Sequence, residues 1–406
     1  MVKIISPSEN RVKPQCAVFK NCGGCELQNM DYAAQLKYKK LIVINCLEKI
    51  GGRKNASELT ADTIGMDIPY HYRNKAQFPV SYDKKTNKVN IGFFSKRTHN
   101  ITDIESCNIS HHANDEIIGI FRKFFGSAKN KQSLAYDETA HTGLIRHIFT
   151  RTSVNTGEIM VCIVINGDNL PNDSNCNKLT EGLKQINRIS GIILNINKEK
   201  TNVILGKTNK ILWGSDYITD YIGGKKFKIS AGSFYQINPV QTEKLYKKAL
   251  EFAEAGKDDV CIDAYCGIGT ISVMFAPFVK KIYGVEIVPQ AVSDAAENAG
   301  INGITNAEFI SGKSEEIVPE LLETDKNINL IILDPPRKGC DINLINKISE
   351  AEIKKIIYIS CDPATLSRDV NILCKNGYEV KKVQPVDMFP HTMHVEAVAA
   401  IQRRNM

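Results

Sequence analysis

Several common features are missing from this 406-residue chain, and each absence excludes a class of protein. No apolar run approaches the roughly 20 residues that a membrane-spanning helix requires, so we expect no membrane segment. The first ten residues contain no apolar core of a secretory signal, which predicts a cytoplasmic protein whose 12 cysteines do not form a disulfide scaffold. No GxxxxGKS/T loop follows an apolar stretch, which argues against a cradle for nucleotide phosphates.

The C-terminal part of the chain alternates apolar stretches with helical patterns. The stretches are VCID, KKIYGVE, INLIILD and KKIIYIS, and residues 289–299 and 363–374 are typical of the intervening helices. This alternation predicts a parallel, doubly wound α/β sheet with right-handed crossovers. Such sheets bind ligands beyond the carboxyl ends of their strands. Four residues fall at those ends and are expected to form a site: Asp263, Glu286, Asp334 and Cys361.

The turn after the first of these strands, DAYCGIGT, lacks the third glycine of the dinucleotide fingerprint GxGxxG. Gly267 and Gly269 nevertheless let the backbone approach a ligand closely. Glu286 closes the second strand, where a carboxylate commonly accepts the hydroxyls of a ribose. Together these features favour an adenosine-containing ligand without phosphates, and S-adenosylmethionine is the best candidate.

Cys361 lies between a predicted buried strand and a helix that Pro363 opens. The positive end of the helix dipole lowers the pKa of a thiol in this position, whereas the neighbouring Asp362 opposes that shift. Two other cysteines, Cys266 and Cys340, lie close to it in the predicted fold and compete for the role of nucleophile.

Five segments carry a resemblance to a known family: SFYQINP, DAYCGIG, DPPRKG, SCDPATLSRD and HTMHVEA. The chain resembles the RNA uracil-5-methyltransferases from about Ser6 to its C-terminus. The branch that it resembles methylates 23S ribosomal RNA and carries an iron–sulfur cluster. The resemblance implies that Cys361 is the nucleophile and Glu396 the base, although from the residues alone His394 competes with Glu396. The cofactor contacts that it implies are Gln236, Tyr265, Glu286 and Asp334.

Thiols are dense near the N-terminus, at Cys16, Cys22 and Cys25, and Cys107 stands alone much later. Four thiols suit zinc or a 4Fe–4S cluster equally well by number, and their spacing does not separate the two. The resemblance implies the 4Fe–4S cluster, with these four cysteines as its ligands.

Net charge is +7, an excess that suits an RNA-binding protein. Basic clusters with aromatic neighbours occur at residues 37–40, 72–75, 96–97 and 225–228. Solvated loops would show the same clusters, but unstacked bases need aromatic platforms. The basic segment 141–151 alternates like a strand, and it either lines an RNA path or forms a strand with a charged outer face.

The chain is expected to have three parts. Residues 1–68 form an iron–sulfur segment with a helix at 32–50 that packs onto the catalytic domain. Residues 69–230 form a β-rich central RNA-binding domain that includes Cys107, and residues 231–406 form the methyltransferase domain. The predicted fold class is therefore an α/β, doubly wound S-adenosylmethionine-dependent methyltransferase fold with a β-rich central domain and an N-terminal iron–sulfur segment. Related enzymes begin with a small RNA-binding barrel, of which KIISPSENRVKPQC resembles only the last edge; the barrel is missing or the start was misassigned.

The predicted function is methylation of carbon 5 of a loop uridine in large-subunit ribosomal RNA by a monomeric enzyme. A transfer RNA uracil-5-methyltransferase is the nearest alternative. A non-enzymatic iron–sulfur RNA-binding protein would not need both Cys361 and Glu396. A methyltransferase acting on an exocyclic amine would have an aromatic residue after Asp-Pro-Pro, where this chain has Arg337.

Overall fold

The computed structural model describes residues 4–404, which form two compact units. The β-rich unit contains residues 4–29, 69–220 and 228–232, and the α/β unit contains residues 30–68, 221–227 and 233–404. The segment 1–68 of the sequence analysis is therefore divided, because residues 4–29 join the β-rich unit and residues 30–68 join the α/β unit. Across residues 4–404, no helix has the length and apolar character that crossing a bilayer requires.

Helices and strands follow one another throughout this described part of the chain. The helices are α1 (Tyr32–Lys49), α2 (Ala56–Leu59), α3 (Ala113–Ser127), α4 (Lys131–Leu134), α5 (Ser174–Lys184), α6 (Pro239–Ala253), α7 (Thr270–Phe275), α8 (Pro289–Ile301), α9 (Ser314–Thr324), α10 (Ile342–Glu350) and α11 (Pro363–Lys375). The strands are β1 (Lys75–Asp83), β2 (Lys88–Phe94), β3 (Ile101–Asp103), β4 (Ile145–Thr152), β5 (Ile159–Ile165), β6 (Ile189–Ile196), β7 (Thr208–Gly214), β8 (Tyr217–Ile222), β9 (Lys225–Ser230), β10 (Val260–Asp263), β11 (Lys281–Glu286), β12 (Ala307–Ser311), β13 (Ile328–Leu333), β14 (Lys355–Ser360), β15 (Tyr378–Val386) and β16 (Glu396–Arg403).

The β-rich unit is built on a seven-stranded sheet with the order β3-β2-β1-β4-β5-β6-β7. Its neighbouring strands are antiparallel, except that β5 and β6 are parallel and are joined by the crossover helix α5. Every residue of β5 is buried, and α3 packs Ile117, Phe121 and Phe125 into the same core. The continuous apolar sequence of β5 therefore belongs to a central strand that is covered on both faces.

Strand β4 contains most of the basic segment 141–151, and both of its arginines, Arg146 and Arg151, are buried. The Arg146 guanidinium donates hydrogen bonds of 2.8 Å to the carbonyls of Asn197 and Glu199. The Arg151 guanidinium donates to another main-chain carbonyl of the same unit. The segment is a strand, as its alternation predicts, but the interpretation of a charged outer face is wrong because these guanidiniums satisfy buried carbonyls.

The α/β unit contains a second seven-stranded sheet, with the order β12-β11-β10-β13-β14-β16-β15. Strands β10 to β14 pair in parallel, whereas β16 is antiparallel to both of its neighbours, β14 and β15. The predicted parallel pairing is confirmed for β10, β11, β13 and β14, the strands on which it was based, whereas β16 follows them in the chain and runs in the opposite direction. The physical reason is its connection: residues 387–395 join β15 to β16 without a helical crossover, and a parallel pair needs one.

The core of this unit lies between the sheet and the helices on its faces. Strands β10, β13 and β14 contribute Ile262, Ile331 and Ile356, and helix α1 contributes Val43 and Leu47. The helix predicted at residues 32–50 is therefore part of the α/β unit and packs on its core. The helices predicted at 289–299 and 363–374 correspond to α8 and α11.

Candidate active site and thiol cluster

The strand ends place the four predicted residues along one edge of the α/β sheet. Asp263 and Glu286 are the last residues of β10 and β11, and Asp334 and Cys361 follow directly after β13 and β14. Because these strands are parallel, their carboxyl ends meet at the same edge. The prediction that the sheet topology brings these ends together is confirmed by the strand order.

The thiol of Cys361 lies where β14 gives way to α11. The Asp362 carboxylate caps this helix and accepts hydrogen bonds from the main-chain N–H groups of Ala364 at 2.9 Å and Thr365 at 3.3 Å. Burial, followed by the carboxyl groups of Glu396 and Asp334, raises the pKa of Cys361 to about 11. Besides burial, the groups that oppose ionisation of the Cys361 thiol are thus the carboxyls of Glu396 and Asp334. Asp362, which the sequence analysis expected to oppose it, instead caps helix α11.

Glu396 is the first residue of the reversed strand β16 and is 3 % exposed. In the antiparallel register Ser360 pairs with Ala397, so the next positions at this edge are Cys361 and Glu396. Burial, and then the nearby Asp334, raises the pKa of Glu396 to about 8. A carboxyl group with such a pKa is mostly protonated at pH 7 and half-ionised near pH 8, and a pKa near the working pH is what general acid–base catalysis requires.

The loop after β13 brings charges of both signs to the pair formed by Cys361 and Glu396. Burial, and then Asp263, raises the pKa of Asp334 to about 7. The positive charge of Arg337 lowers the pKa of both Cys361 and Glu396 and so offsets part of the effect of burial. Sequence reasoning used Arg337 only to exclude methylation of an exocyclic amine. Its position three residues after Asp334 was the signal that could have identified it as a residue of the site.

The glycine turn and Glu286 form the neighbouring part of the edge. The Glu286 carboxylate accepts hydrogen bonds from the main-chain N–H groups of Gly267 at 3.2 Å and Val288 at 2.8 Å. Gly267 and Gly269 have φ angles of +54° and +81°, which residues with a side chain rarely adopt. The glycines therefore allow the turn itself, and the turn holds the acid in place at the end of β11.

Gln236 and Asp334 meet at Tyr246, a buried residue of α6. The Tyr246 phenol interacts with the Gln236 side chain and with the charge of Asp334, and its hydroxyl lies 3.3 Å from that of Thr270. Burial is the main cause of the raised pKa of this phenol, which remains protonated. Sequence reasoning missed Tyr246 because nothing in its local helical pattern distinguishes it from a core residue. The fourth predicted cofactor residue, Tyr265, instead lies beside Cys340.

The competing residues have different surroundings from those of Cys361 and Glu396. Cys266 and Cys340 are 4 % and 5 % exposed, and burial is the main cause of the raised pKa of each thiol, to about 12 for Cys340. Cys361 is more exposed and interacts with Glu396. His394 is exposed and lies against the ring of Phe389. The geometry therefore pairs Cys361 with Glu396.

The four N-terminal thiols belong to the β-rich unit and interact electrostatically. Cys107 raises the pKa of Cys16, Cys22 and Cys25, although burial is the larger cause in each case and brings Cys25 to about 12. The main-chain N–H of Gly24 donates to the Cys22 sulfur at 3.4 Å. Between residues 4 and 404, however, the structure contains no group of three or more His, Cys, Asp or Glu side chains arranged so that they could hold a metal ion.

The chain is similar to a known family and to several known proteins. The family model for tRNA (uracil-5-)-methyltransferase matches residues 31–404. An uncharacterized RNA methyltransferase of Clostridium acetobutylicum is 46% identical to the chain, over 99% of the chain and 86% of that protein. One of Halalkalibacterium halodurans is 45% identical, over 100% of the chain and 86% of that protein.

A solved structure also matches both units. It is the tRNA (uracil-54, C5)-methyltransferase of Pyrococcus abyssi in complex with S-adenosyl-L-homocysteine, with 25% identity and a TM-score of 0.78. The match covers 98% of this chain and 88% of the other. The α/β unit thus has the fold of the S-adenosylmethionine-dependent methyltransferases. The extent of these matches leads to one conclusion: this chain is an RNA-methylating enzyme and belongs to the tRNA (uracil-5-)-methyltransferase family.

Proposed function

We propose that the protein methylates carbon 5 of a loop uridine in large-subunit (23S) ribosomal RNA, with S-adenosylmethionine as the methyl donor and Cys361 as a covalent catalyst. The observation that carries this proposal is the β14–β16 register, which sets Cys361 next to Glu396. Carbon 5 of uracil is a poor nucleophile, so a reaction there needs both a group that activates the ring and a base.

The two residues divide these tasks between them. The Cys361 thiolate attacks carbon 6, and the electron pair of the 5,6 double bond moves toward the ring carbonyl to give an enolate. Carbon 5 of this enolate would then take the methyl group, with the electron pair of the broken carbon–sulfur bond remaining on the sulfur of the methyl donor. Glu396 next removes the proton on carbon 5 and becomes a carboxylic acid. The electrons of that carbon–hydrogen bond restore the 5,6 double bond as the carbon 6–sulfur bond breaks and the Cys361 thiolate leaves.

Asp334 is proposed to align the pyrimidine by accepting a hydrogen bond from its N–H group. Its place directly after β13 supports this role because its charge reaches Tyr246 and both reacting side chains. Fixing the pyrimidine ring in this way brings carbon 6 to the Cys361 sulfur and carbon 5 to the Glu396 carboxylate. Such alignment lowers the entropic part of the reaction barrier.

The residues proposed to bind S-adenosylmethionine are Gln236, Tyr265, Glu286 and Asp334. When bound, the cofactor supplies an electrophilic methyl group on a positively charged sulfur. The buried carboxyls at this edge of the sheet suit such a cation: burial raises the pKa of Asp263 and Asp334 to about 7 each and that of Glu396 to about 8. A positive ligand stabilises the ionised form of carboxyls that burial destabilises. Glu286, held by two main-chain N–H groups, is positioned to accept the ribose hydroxyls.

A 4Fe–4S cluster is proposed at Cys16, Cys22, Cys25 and Cys107. The four thiols are close enough to affect one another's ionisation, and the N–H that Gly24 donates to the Cys22 sulfur is of the type that tunes such clusters. Arg73 interacts with Cys25 and Cys107, and its charge suits a centre with four anionic ligands. What fits the cluster is the chemistry of the four thiolate ligands, and four thiolates also bind zinc.

Binding of RNA is proposed for the β-rich unit. A groove of about 670 Å³ in this unit is lined by Tyr82, Lys84, Lys85, Phe94 and His99, among others. Lysines there suit phosphates, and aromatic rings suit unstacked bases. The protein is further proposed to act as a cytoplasmic monomer.

A transfer RNA substrate is the second candidate, and the likeness to the P. abyssi enzyme favours it. Ribosomal RNA is preferred because the sequence resembles the iron–sulfur branch. To decide, the purified protein is incubated with labelled S-adenosylmethionine and total RNA, and the labelled uridine is then located. Label in 23S RNA supports the proposal, label confined to transfer RNA selects the second candidate, and label at an atom other than carbon 5 excludes both.

A further inference from the structure

Residues 387–395 connect β15 to β16 and therefore lead directly into Glu396. We call these residues the base loop. Sequence reasoning packed the helix at residues 32–50 onto the catalytic domain without naming the residues that it contacts, and it counted Lys39 among the basic residues suited to RNA. In the structure, the Lys39 side chain is 0% exposed and its ammonium lies 2.5 Å from the Asp387 carboxylate, which is also 0% exposed.

Three residues on one face of α1 hold the base loop. Lys39 donates a second hydrogen bond, of 3.0 Å, to the carbonyl of Phe389, and the Tyr32 hydroxyl donates to the other oxygen of Asp387 at 2.9 Å. The Gln35 side-chain carbonyl accepts from the main-chain N–H of His391 at 3.1 Å. Residues 32, 35 and 39 share a helical face, so a single straight element fixes the loop at several points.

Helix α6 and its capping residue, Asn238, contact the same loop through other atoms. The side-chain amide of Asn238 donates to the carbonyl of Met388 at 3.0 Å, and that of Gln241 donates to the carbonyl of Asp387 at 3.1 Å. Together, the hydrogen bonds from the two helices hold the loop in a conformation in which His391 has a φ of +67°, which is unfavourable for a residue with a side chain.

A chain of hydrogen bonds continues from Lys39 toward Glu396. The carbonyl of Phe389 that accepts from Lys39 also accepts from the Thr392 hydroxyl at 2.8 Å. That hydroxyl oxygen accepts in turn from the main-chain N–H of His394 at 3.3 Å, two residues before Glu396. The ion pair is therefore connected to the start of β16 by consecutive contacts.

A buried ion pair is a poor means of gaining stability, because desolvation of both charges offsets their attraction. Its directional contacts can instead select one conformation. We propose that Lys39 and Asp387 are positioning residues, which fix the base loop so that Glu396 reaches the proton on carbon 5 of the Cys361 adduct. This inference rests on the proposed function, in which Glu396 acts only after methyl transfer.

Three variants test the role of the pair: Lys39→Met, Asp387→Asn and the double variant Lys39→Met/Asp387→Leu. Attack by Cys361 precedes the need for Glu396, so each variant should form the adduct with 5-fluorouridine RNA at the wild-type rate. On normal RNA each should release product about 10- to 100-fold more slowly, with accumulation of the covalent intermediate, because a small displacement of a catalytic group has effects of this size. Lys247→Met is the matched control, since it removes an exposed pair with Glu243 on α6, the other helix that contacts the base loop, and it should behave as wild type.

The double variant separates positioning from stability. Each single variant leaves one buried charge without its partner and should unfold at a lower temperature, whereas the double variant should regain most of the loss. We expect its product release to stay slow. Release at the wild-type rate by the double variant, or equal slowing of adduct formation and release in all three, would overturn the inference. Glu396→Gln is run in parallel: if that variant accumulates no intermediate, the assignment of the base fails, independently of Lys39 and Asp387.

Discussion

Cys361 and Glu396 are neighbours because β16 runs against β14, with Ser360 paired to Ala397 one step inside the sheet. In a wholly parallel sheet the start of β16 would lie at the opposite edge from the end of β14. The reversal therefore puts a residue that begins a strand beside one that follows a strand. It also brings the Glu396 carboxyl, which takes up a proton in the proposed reaction, close enough to the Cys361 thiol to raise the pKa of that thiol.

The first prediction concerns the nucleophile. RNA with 5-fluorouridine at the target position should form a stable covalent adduct with the wild-type protein, because fluorine does not leave as a proton. Cys361→Ala should form none, since it lacks the sulfur. Adduct is measured as a band of lower mobility under denaturing conditions. Cys266→Ala and Cys340→Ala are the matched controls and should retain it; its persistence in Cys361→Ala would assign the attack to another cysteine.

The second prediction concerns the base. Glu396→Gln should transfer the methyl group but stall before elimination, because the amide does not accept the proton on carbon 5. Covalent protein–RNA complex should then accumulate on unmodified RNA, and turnover should fall by about 100-fold or more, the range expected for general acid–base catalysis. His394→Ala should turn over normally. The opposite pattern, with normal turnover in Glu396→Gln and loss in His394→Ala, would assign the base to His394.

The third prediction is a dependence of stability on pH. Burial raises the pKa of Glu396 from 4.5 to about 8, so between these values the folded state binds the proton more tightly than the unfolded state. The free energy of unfolding contributed by this group is therefore full below pH 4.5 and is lost as the pH rises through about 8. Glutamine cannot ionise, so the Glu396→Gln variant does not lose this stability as the pH rises. The melting temperature of Glu396→Gln should exceed that of wild type by about 5 °C near pH 9, with little difference near pH 4.

The control for this measurement is Glu350→Gln, which changes an exposed carboxylate of α10. Its melting temperature should follow that of wild type throughout the pH range. If the curves of Glu396→Gln and wild type were parallel, the Glu396 carboxyl would not have the raised pKa that its burial implies.

The local parts of the site could be predicted from the sequence. Apolar stretches that end in polar residues locate β10, β11, β13 and β14, and Pro363 locates the start of α11. These patterns depend on residues a few positions apart, as does the end of each strand. The edge carrying Asp263, Glu286, Asp334 and Cys361 then follows from the rule for parallel sheets.

Contacts between distant parts of the chain could not be predicted in this way. The register that brings Glu396 to Cys361 depends on how two strands pair, and the sequence of either strand fits both directions. The residues around Lys39 in the sequence are typical of an exposed helix face. Lys39 is nevertheless buried, because it pairs with Asp387, which lies 348 positions away in the chain. Similarly, Arg146 and Arg151 resemble surface charges until the carbonyls that they satisfy are identified.

The fourth prediction concerns the thiol cluster. Protein purified without oxygen should be brown, with broad absorbance near ~400 nm and iron and sulfide on analysis, as expected for thiolate-bound iron–sulfur centres. Cys22→Ser should lose the colour and unfold the surrounding segment more readily. Cys176→Ser changes a thiol of α5, away from Cys16, Cys22, Cys25 and Cys107 in sequence, and should keep the colour. Zinc without iron in the anaerobic protein would refute the iron–sulfur assignment while keeping the four ligands.

The fifth prediction concerns the substrate. A uridine must leave its stack before Cys361 can reach carbon 6, and loops allow this at lower cost than helices. The enzyme should therefore methylate naked large-subunit RNA or an early assembly intermediate well and mature ribosomes weakly. Its affinity should also fall steeply with salt, because phosphate contacts release counterions. In a strain without the gene, 5-methyluridine should disappear from a loop of 23S RNA. If the mark disappears from transfer RNA and the ribosomal marks remain, the ribosomal substrate is wrong, whereas the roles of Cys361 and Glu396 remain open to the tests above.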